Sequence, residues 1–488
     1  MIMLKENDRF EREKMALGNK YVKAGLGYTI GNYLLRGISL ITLPIFVRLM
    51  STTEYGNFNT YAAYESIFTI IVGMALHASL KNAKYKYTKY GAFNEYLSNC
   101  VQIGIISTAI LILIANLTYP FYSVILDMSR GVFNLLLVES YAVSLVTLYN
   151  SYISLEYKFK NFLIVSFINV IANVVLSIAL MFTIFNSDRY LARVVGTAMP
   201  IIVIGIVIGI YFIKLGGLKF NKEYWKFGIS FSSPLILHGV SQVILNQFDR
   251  IMIKTMTGAE NAGIYSFSYN ISSLVLVAST SLQQVWQPWF YERMSVKDTE
   301  SIRKRGDQFA YGMMLFVSCV MLGSREMILI LGTQDYLDGI NYLIPILVGG
   351  YFAFLYNLPA QVEYYYEKTK YIAIGTCVAA GLNVAMNYIG VKLFGPIAAA
   401  YTTLIIYGLY FCIHYYLSIR VHGCSIFNIK KIGIYSFALL CVGSIALIFN
   451  LLWYIRWTFL LLFGSYLLVW LNKSYGFINT IRKKLRGE

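Results

Sequence analysis

Residues 254–267 read KTMTGAENAGIYSF, and residues 48–59 read RLMSTTEYGNFN. Laid over one another, the two stretches match a basic residue (Arg48, Lys254), a methionine (Met50, Met256), a hydroxyl residue (Ser51, Thr257) and a glutamate (Glu54, Glu260). After one inserted residue, Gly56 meets Gly263 and Phe58 meets Tyr265. A pattern that recurs in this way predicts a chain of two similar halves.

The chain around the two copies is apolar. Of its 488 residues 57% are hydrophobic and only 13% charged, against about a quarter charged in a soluble domain. Apolar runs of membrane-spanning length recur between residues 26 and 471, and such a run crosses a bilayer as a helix because only a helix satisfies every backbone polar group without water. The predicted fold class is therefore all-α: a polytopic membrane protein with about fourteen transmembrane helices. The first 25 residues are charged throughout and lack the features of a cleaved signal, so the first span is expected to serve as its own insertion signal. Six cysteines stand singly, without CxxC or Cys/His spacing, and no H-E-x-x-H, G-x-S-x-G or P-loop occurs. No metal site, cofactor or catalytic residue is predicted.

The net charge of +17 is placed for a membrane rather than for nucleic acid. Connections rich in lysine and arginine (Lys81, Lys84, Lys86 and Lys89; Lys214, Lys219, Lys222 and Lys226; the tail with Arg482, Lys483, Lys484 and Arg486) alternate with short ones poor in both, such as STTEYGN, TGAEN and FGP. The positive-inside rule then predicts cytoplasmic N- and C-termini. Both copies of the opening motif fall on the outer side, joining the first span (26–48) to the second (58–80) and the seventh (228–253) to the eighth (262–285). An even number of crossings separates them, so the halves are parallel repeats. Asn169 and Asn173 in the fifth span recur as Asn383 and Asn387 in the eleventh. The expected division is a cytoplasmic segment 1–25, an N-lobe 26–213, a linker 214–227, a C-lobe 228–417, two further spans within 432–471 and a cytoplasmic tail 472–488.

Charge at mid-bilayer costs about 2.5–3.5 kcal/mol on the insertion scale, so charged residues inside spans are candidates for a cavity or a pair. Arg36 lies in the first span, Glu65 in the second and Glu139 in the fourth. Asp249 and Arg250 come late in the seventh, where His238, Gln242 and Asn246 share one helical stripe. Arg36 and Arg250, in corresponding first helices, are expected to line a cavity together with Gln242 and Asn246. Asp249, Glu139, Glu65 and His238 are candidates for ion coupling or for partnering a charge. Arg325 and Glu326 fall toward an interfacial rim. The 41 tyrosines suit membrane interfaces and are not assigned individually to ligand.

The stretches RLMSTTEYGNF, NQFDRIMIKTMTGAENAGIYSFSYN and LNVAMNYIGVKLFGPIAAAYTTLI resemble the Wzx-type oligosaccharide flippases, in the polysaccharide-transport branch of the multidrug/oligosaccharidyl-lipid/polysaccharide exporter superfamily. The resemblance implies two six-helix lobes around a central cavity, two added helices, and alternating access. It implies a polyprenyl-pyrophosphate-linked oligosaccharide as cargo, handed on to polymerase or assembly proteins for O-antigen, capsule or a related polymer. It also implies cavity-lining basic residues on the first helices, positions held here by Arg36 and Arg250. Exchange of H⁺ or Na⁺ through Asp249 or Glu139 is an optional coupling. Two other readings stay open on the residues: a multidrug or ion antiporter of the same superfamily, disfavoured by the arginines, and a membrane glycan polymerase or glycosyltransferase, disfavoured by the short outer connections.

Overall fold

A computed structural model describes residues 27–475 except 30, 36 and 90. Arg36, the segment 1–25 and most of the tail 472–488 lie outside the described residues. Within them the chain is helical, with no strand among the described residues. The elements are α1 (Gly27–Leu49), α2 (Thr52–Val72), a 3₁₀ turn (Leu76–Ser79) leading into α3 (Leu80–Lys86), α4 (Ala92–Leu126), α5 (Arg130–Leu155), α6 (Phe159–Phe182), α7 (Arg189–Gly216) and α8 (Lys222–Thr257). They continue with α9 (Ala259–Ser295), α10 (Thr299–Leu322), α11 (Ser324–Leu331), a 3₁₀ turn (Gln334–Gly339), α12 (Ile340–Tyr365), α13 (Thr369–Phe394), α14 (Ile397–His422), α15 (Ile429–Ile448) and α16 (Trp453–Tyr475).

Among the described residues, eleven helices are long and apolar enough to cross a membrane, and thirteen spans result if each of two bent pairs counts as one. The sequence predicts fourteen, and the difference is α9. That helix buries Ser266, Ser268, Ser272 and Ser279 among its apolar residues, which dilutes the hydropathy that marks a span. The bent pairs are α2 with the segment Leu76–Lys86, at 48°, and α10 with α11, at 59°. The second bend frees the carbonyl of Leu322, which accepts from Arg456 Nη1 at 2.9 Å. Arg456, 1% exposed, also forks onto Glu326 with two bonds of 2.7 Å, so Glu326 anchors α16 to the start of α11.

Contacts divide the chain into two compact units, one holding residues up to Thr42 together with Asn57–Ile244, the other Leu43–Gly56 together with Leu245 onward. In the first unit the core lies among α4, α5 and α7, around Tyr96, Leu97, Val101, Leu148 and Phe212. In the second, α12 is the most enclosed element, with Tyr342 to Gly349 all buried, and its apolar surround includes Phe267, Trp286 and Phe290 of α9.

The repeated motif acquires a physical meaning here. In the first copy Ser51 and Glu54 close a capping box at the start of α2: Glu54 N donates to Ser51 Oγ at 3.2 Å and Ser51 N to Glu54 Oε2 at 2.9 Å. In the second copy Thr257 turns back instead, donating to Ile253 O at 2.8 Å, and Gly258, at φ 101°, reverses the chain into α9. The matched glycines then meet within the second unit. A Cβ on Gly56 would stand 1.8 Å from Ala259 O, and one on Gly263 would stand 2.0 Å from Thr52 O. Backbone approaches backbone there, which only glycine allows.

Candidate functional site

The candidate residues fall into two groups, each inside its own unit. In the second unit Asp249 of α8 is 2% exposed, and a carboxylate so far from water needs donors. Three helices supply them. Tyr265 of α9 donates its hydroxyl at 2.7 Å, Asn387 of α13 its amide at 2.6 Å, and Thr403 of α14 lies at 3.1 Å. Thr403 Oγ1 is also 3.0 Å from Ala399 O; its single proton serves one acceptor at a time. Asn387 Nδ2 reaches Asn383 Oδ1 at 3.1 Å, while Asn387 Oδ1 is buried with no hydrogen-bond partner. All three donors are neutral.

Arg250 follows Asp249 and so points to a different face of α8. It is 7% exposed, its guanidinium lies 4.7 Å from the centre of the Tyr269 ring, and its Nε has no hydrogen-bond partner. Its charge therefore rests on a π face rather than on a carboxylate fork. Asn246, one turn earlier, accepts from Tyr407 OH at 2.9 Å. His238 and Gln242, on the part of α8 that belongs to the first unit, are both half-buried, and His238 Nδ1 is buried without a partner.

In the first unit Glu139 of α5, 5% exposed, accepts from Tyr61 OH of α2 at 2.5 Å. Glu65, half-buried on α2, accepts from Thr69 Oγ1 at 2.6 Å, and its backbone carbonyl accepts from Ser140 Oγ at 3.3 Å, next to Glu139. The two carboxyl residues are thus carried on neighbouring turns of two packed helices.

Sequence reasoning passed over three features of this kind. Arg193 of α7 donates to Asn173 and Ser177 of α6 and lies 4.9 Å from the Phe58 ring. Glu363 of α12 and His414 of α14, both fully buried, meet at 2.7 Å. Arg456 is the third. Arg193 and Arg456 stand at the edges of apolar runs, where a charge is discounted as interfacial, and the Glu363–His414 pair joins positions remote in sequence that no periodicity links. Among the described residues no group of three or more His, Cys, Asp or Glu could hold a metal ion.

Comparison with known proteins agrees with this architecture. A protein of the Lsg locus of Haemophilus influenzae is 23% identical over 390 residues, covering 76% of this chain and 93% of that one. The lipid II flippase MurJ, in an inward closed conformation, superposes with a TM-score of 0.73 at 14% identity, over 92% of this chain and 99% of its own. The inward-facing conformation of a multidrug resistance MATE family transporter of the MOP superfamily gives 0.66 at 12% identity, over 81% and 98%. These structures share the fold, that of a multi-pass membrane protein. The family model described as polysaccharide biosynthesis protein matches residues 22–294, more than half of the chain, and the chain belongs to that family.

Proposed function

We propose that this protein is a flippase that carries a polyprenyl-pyrophosphate-linked oligosaccharide from the cytoplasmic to the outer leaflet of the bacterial inner membrane, and that it is not an enzyme. Lobes 26–213 and 228–417 alternate access to the two faces, with both termini cytoplasmic. Arg36 and Arg250 bind the diphosphate, with Gln242 and Asn246 beside it. The observation that carries this reading is Arg250: a guanidinium in an apolar helix, enclosed, stacked on Tyr269 and with Nε unpaired, while the adjacent Asp249 is satisfied by neutral donors. Such a cation is poised for a phosphate ligand, whose oxygens fit its planar fork.

The energetics favour the same direction. About two negative charges moving outward across an inside-negative membrane gain about 4–5 kcal/mol per 100 mV, from ~2.3 per charge, and the emptied cationic site is drawn back inward. Exchange of H⁺ or Na⁺ at Asp249 or Glu139, with Glu65 and His238 as charge partners, is the optional second drive. The test is flipping in sealed vesicles at clamped potential, alongside deletion of the gene. Inside-negative potential is expected to accelerate flipping and its reversal to slow it; Arg250→Gln is expected to lower the rate at least tenfold, and Arg250→Lys to keep part of it. Indifference to the sign of the potential, or normal flipping by Arg250→Gln, rejects the mechanism. After deletion the glycolipid is expected on the cytoplasmic leaflet; a multidrug-type antiporter would leave it on its usual side, and a polymerase would leave unpolymerised units outside.

A further inference from the structure

The first unit contains a cavity of about 500 Å³ that the diphosphate reading does not use. Its polar walls come from α1 and α5: Tyr28, Asn32, Thr147, Asn150, Ser151 and Ser154, closed on another side by the ring of Phe162 from α6. Among the described residues no acidic side chain lines it, and its lining lysine, Lys81, is solvent-exposed. Two of the polar atoms, Tyr28 OH and Asn150 Oδ1, are buried with no hydrogen-bond partner. A buried orphan of this kind is costly unless a ligand or water completes it.

The cavity is made by strain. Its remaining wall is the 3₁₀ turn and the start of α3, with His77, Ala78 and Leu80 facing in, and these residues stand where they do because α2 breaks after Val72. No proline causes the break. Met74 and Ala75 both adopt φ of 49°, a left-handed conformation that costs a residue with a side chain about 1–2 kcal/mol each. Gly73 packs so closely on α5 that a Cβ would stand 2.4 Å from the Cβ of Ser144, so the break is held against α5 by its surroundings. Strain that the fold maintains beside a polar cavity is a pointer to a binding site.

From these observations we infer that this cavity is a saccharide subsite, which takes the first sugar rings of the cargo; the inference rests on the flippase reading and deepens it. Amide and hydroxyl side chains both donate and accept, as each sugar hydroxyl does. The rings of Tyr28 and Phe162, with centroids 5.3 Å apart, offer faces to the apolar side of a pyranose. The volume lies within the ~300–1,000 Å³ of small-molecule sites. An uncharged lining with a solvated lysine at its edge accepts neutral sugars and tolerates an acidic substituent.

The test measures binding by the purified full-length chain in nanodiscs, with two probes: unglycosylated undecaprenyl diphosphate, and the lipid-linked oligosaccharides extracted from cells in which the gene is deleted. Wild type is expected to bind the glycolipid at least tenfold more tightly than the bare diphosphate. The Asn150→Leu/Ser154→Leu variant is expected to lose that preference about tenfold and to keep its affinity for the bare diphosphate, which also reports that it folds. Should it fail to fold, the milder Thr147→Val/Ser151→Ala pair carries the same expectation. A preference retained in the variants, or equal binding of both probes by wild type, overturns the subsite and leaves the flippase standing. Failure of wild type to bind either probe removes both.

Discussion

The sharpest test of the Asp249 cluster uses two substitutions that delete a hydroxyl and nothing else of consequence. Asp249 Oδ2 has two donors, Tyr265 OH at 2.7 Å and Thr403 Oγ1 at 3.1 Å, whereas Oδ1 is held by Asn387. Tyr265→Phe leaves Thr403 in place, and the threonine proton, otherwise available to Ala399 O at 3.0 Å, commits to the carboxylate. Thr403→Val likewise leaves Tyr265. Each single change therefore costs about 1 kcal/mol, the value of an ordinary buried hydrogen bond. The double variant strips Oδ2 of every neighbouring hydroxyl in an environment 2% exposed, and an unsatisfied charged oxygen costs more than the ~1–3 kcal/mol of a neutral one. The expected total is about 4 kcal/mol, an excess of about 2 over the sum. Reversible unfolding in mixed micelles, run as a double-mutant cycle, measures that excess. Repeating the cycle with Asn at 249 supplies the control, because an uncharged amide oxygen forfeits less and the excess should fall below about 1 kcal/mol. Additivity within ~0.5 kcal/mol in the Asp249 background would show that charge does not organise the cluster.

Two further expectations follow from geometry elsewhere. Arg456→Met leaves Glu326 and the freed Leu322 carbonyl without their fork and is expected to cost about 3 kcal/mol, the low end for a broken buried pair because Glu326 keeps 26% of its side chain in solvent; Arg456→Met/Glu326→Leu is expected to recover most of this in the same unfolding assay, and a double variant no better than the single would count against the assignment. Gly263→Ala drives a Cβ to within 2.0 Å of Thr52 O and is expected to lower the melting temperature, whereas Gly464→Ala, with nothing within 4 Å, is expected to gain about 0.5–1 kcal/mol of helix propensity; equal effects would show that the crossing of α2 and α9 does not require glycine.

Apolar run length located the helices because the bilayer leaves the backbone no other solution. What failed to show was set by partners at long range. The predicted second span, 58–80, reads as continuous, yet the chain breaks after Val72 where Gly73 presses on Ser144, a contact with a residue of another helix. Arg193 drew no reading from the sequence, because Asn173 and Ser177, which receive it, stand on another helix, α6. The Asn echo was visible as a repeated spacing, but spacing does not say that one copy serves an arginine and the other an aspartate.

The helix that sequence reading took for an ordinary span, α9, makes the underlying physics clear. Its serines and tyrosines keep it from being apolar enough to count as a span, and the same composition places Tyr265 against Asp249 and Tyr269 beneath Arg250. A carboxylate and a guanidinium on adjacent residues of α8 face different sides of the helix and so cannot neutralise one another directly. Each is instead accommodated by one α9 ring, through its hydroxyl in the first case and its π face in the second. Hydropathy lost along α9 is thus what makes two charges tolerable on α8, with the arginine stabilised on a ring face and its Nε left without a hydrogen-bond partner.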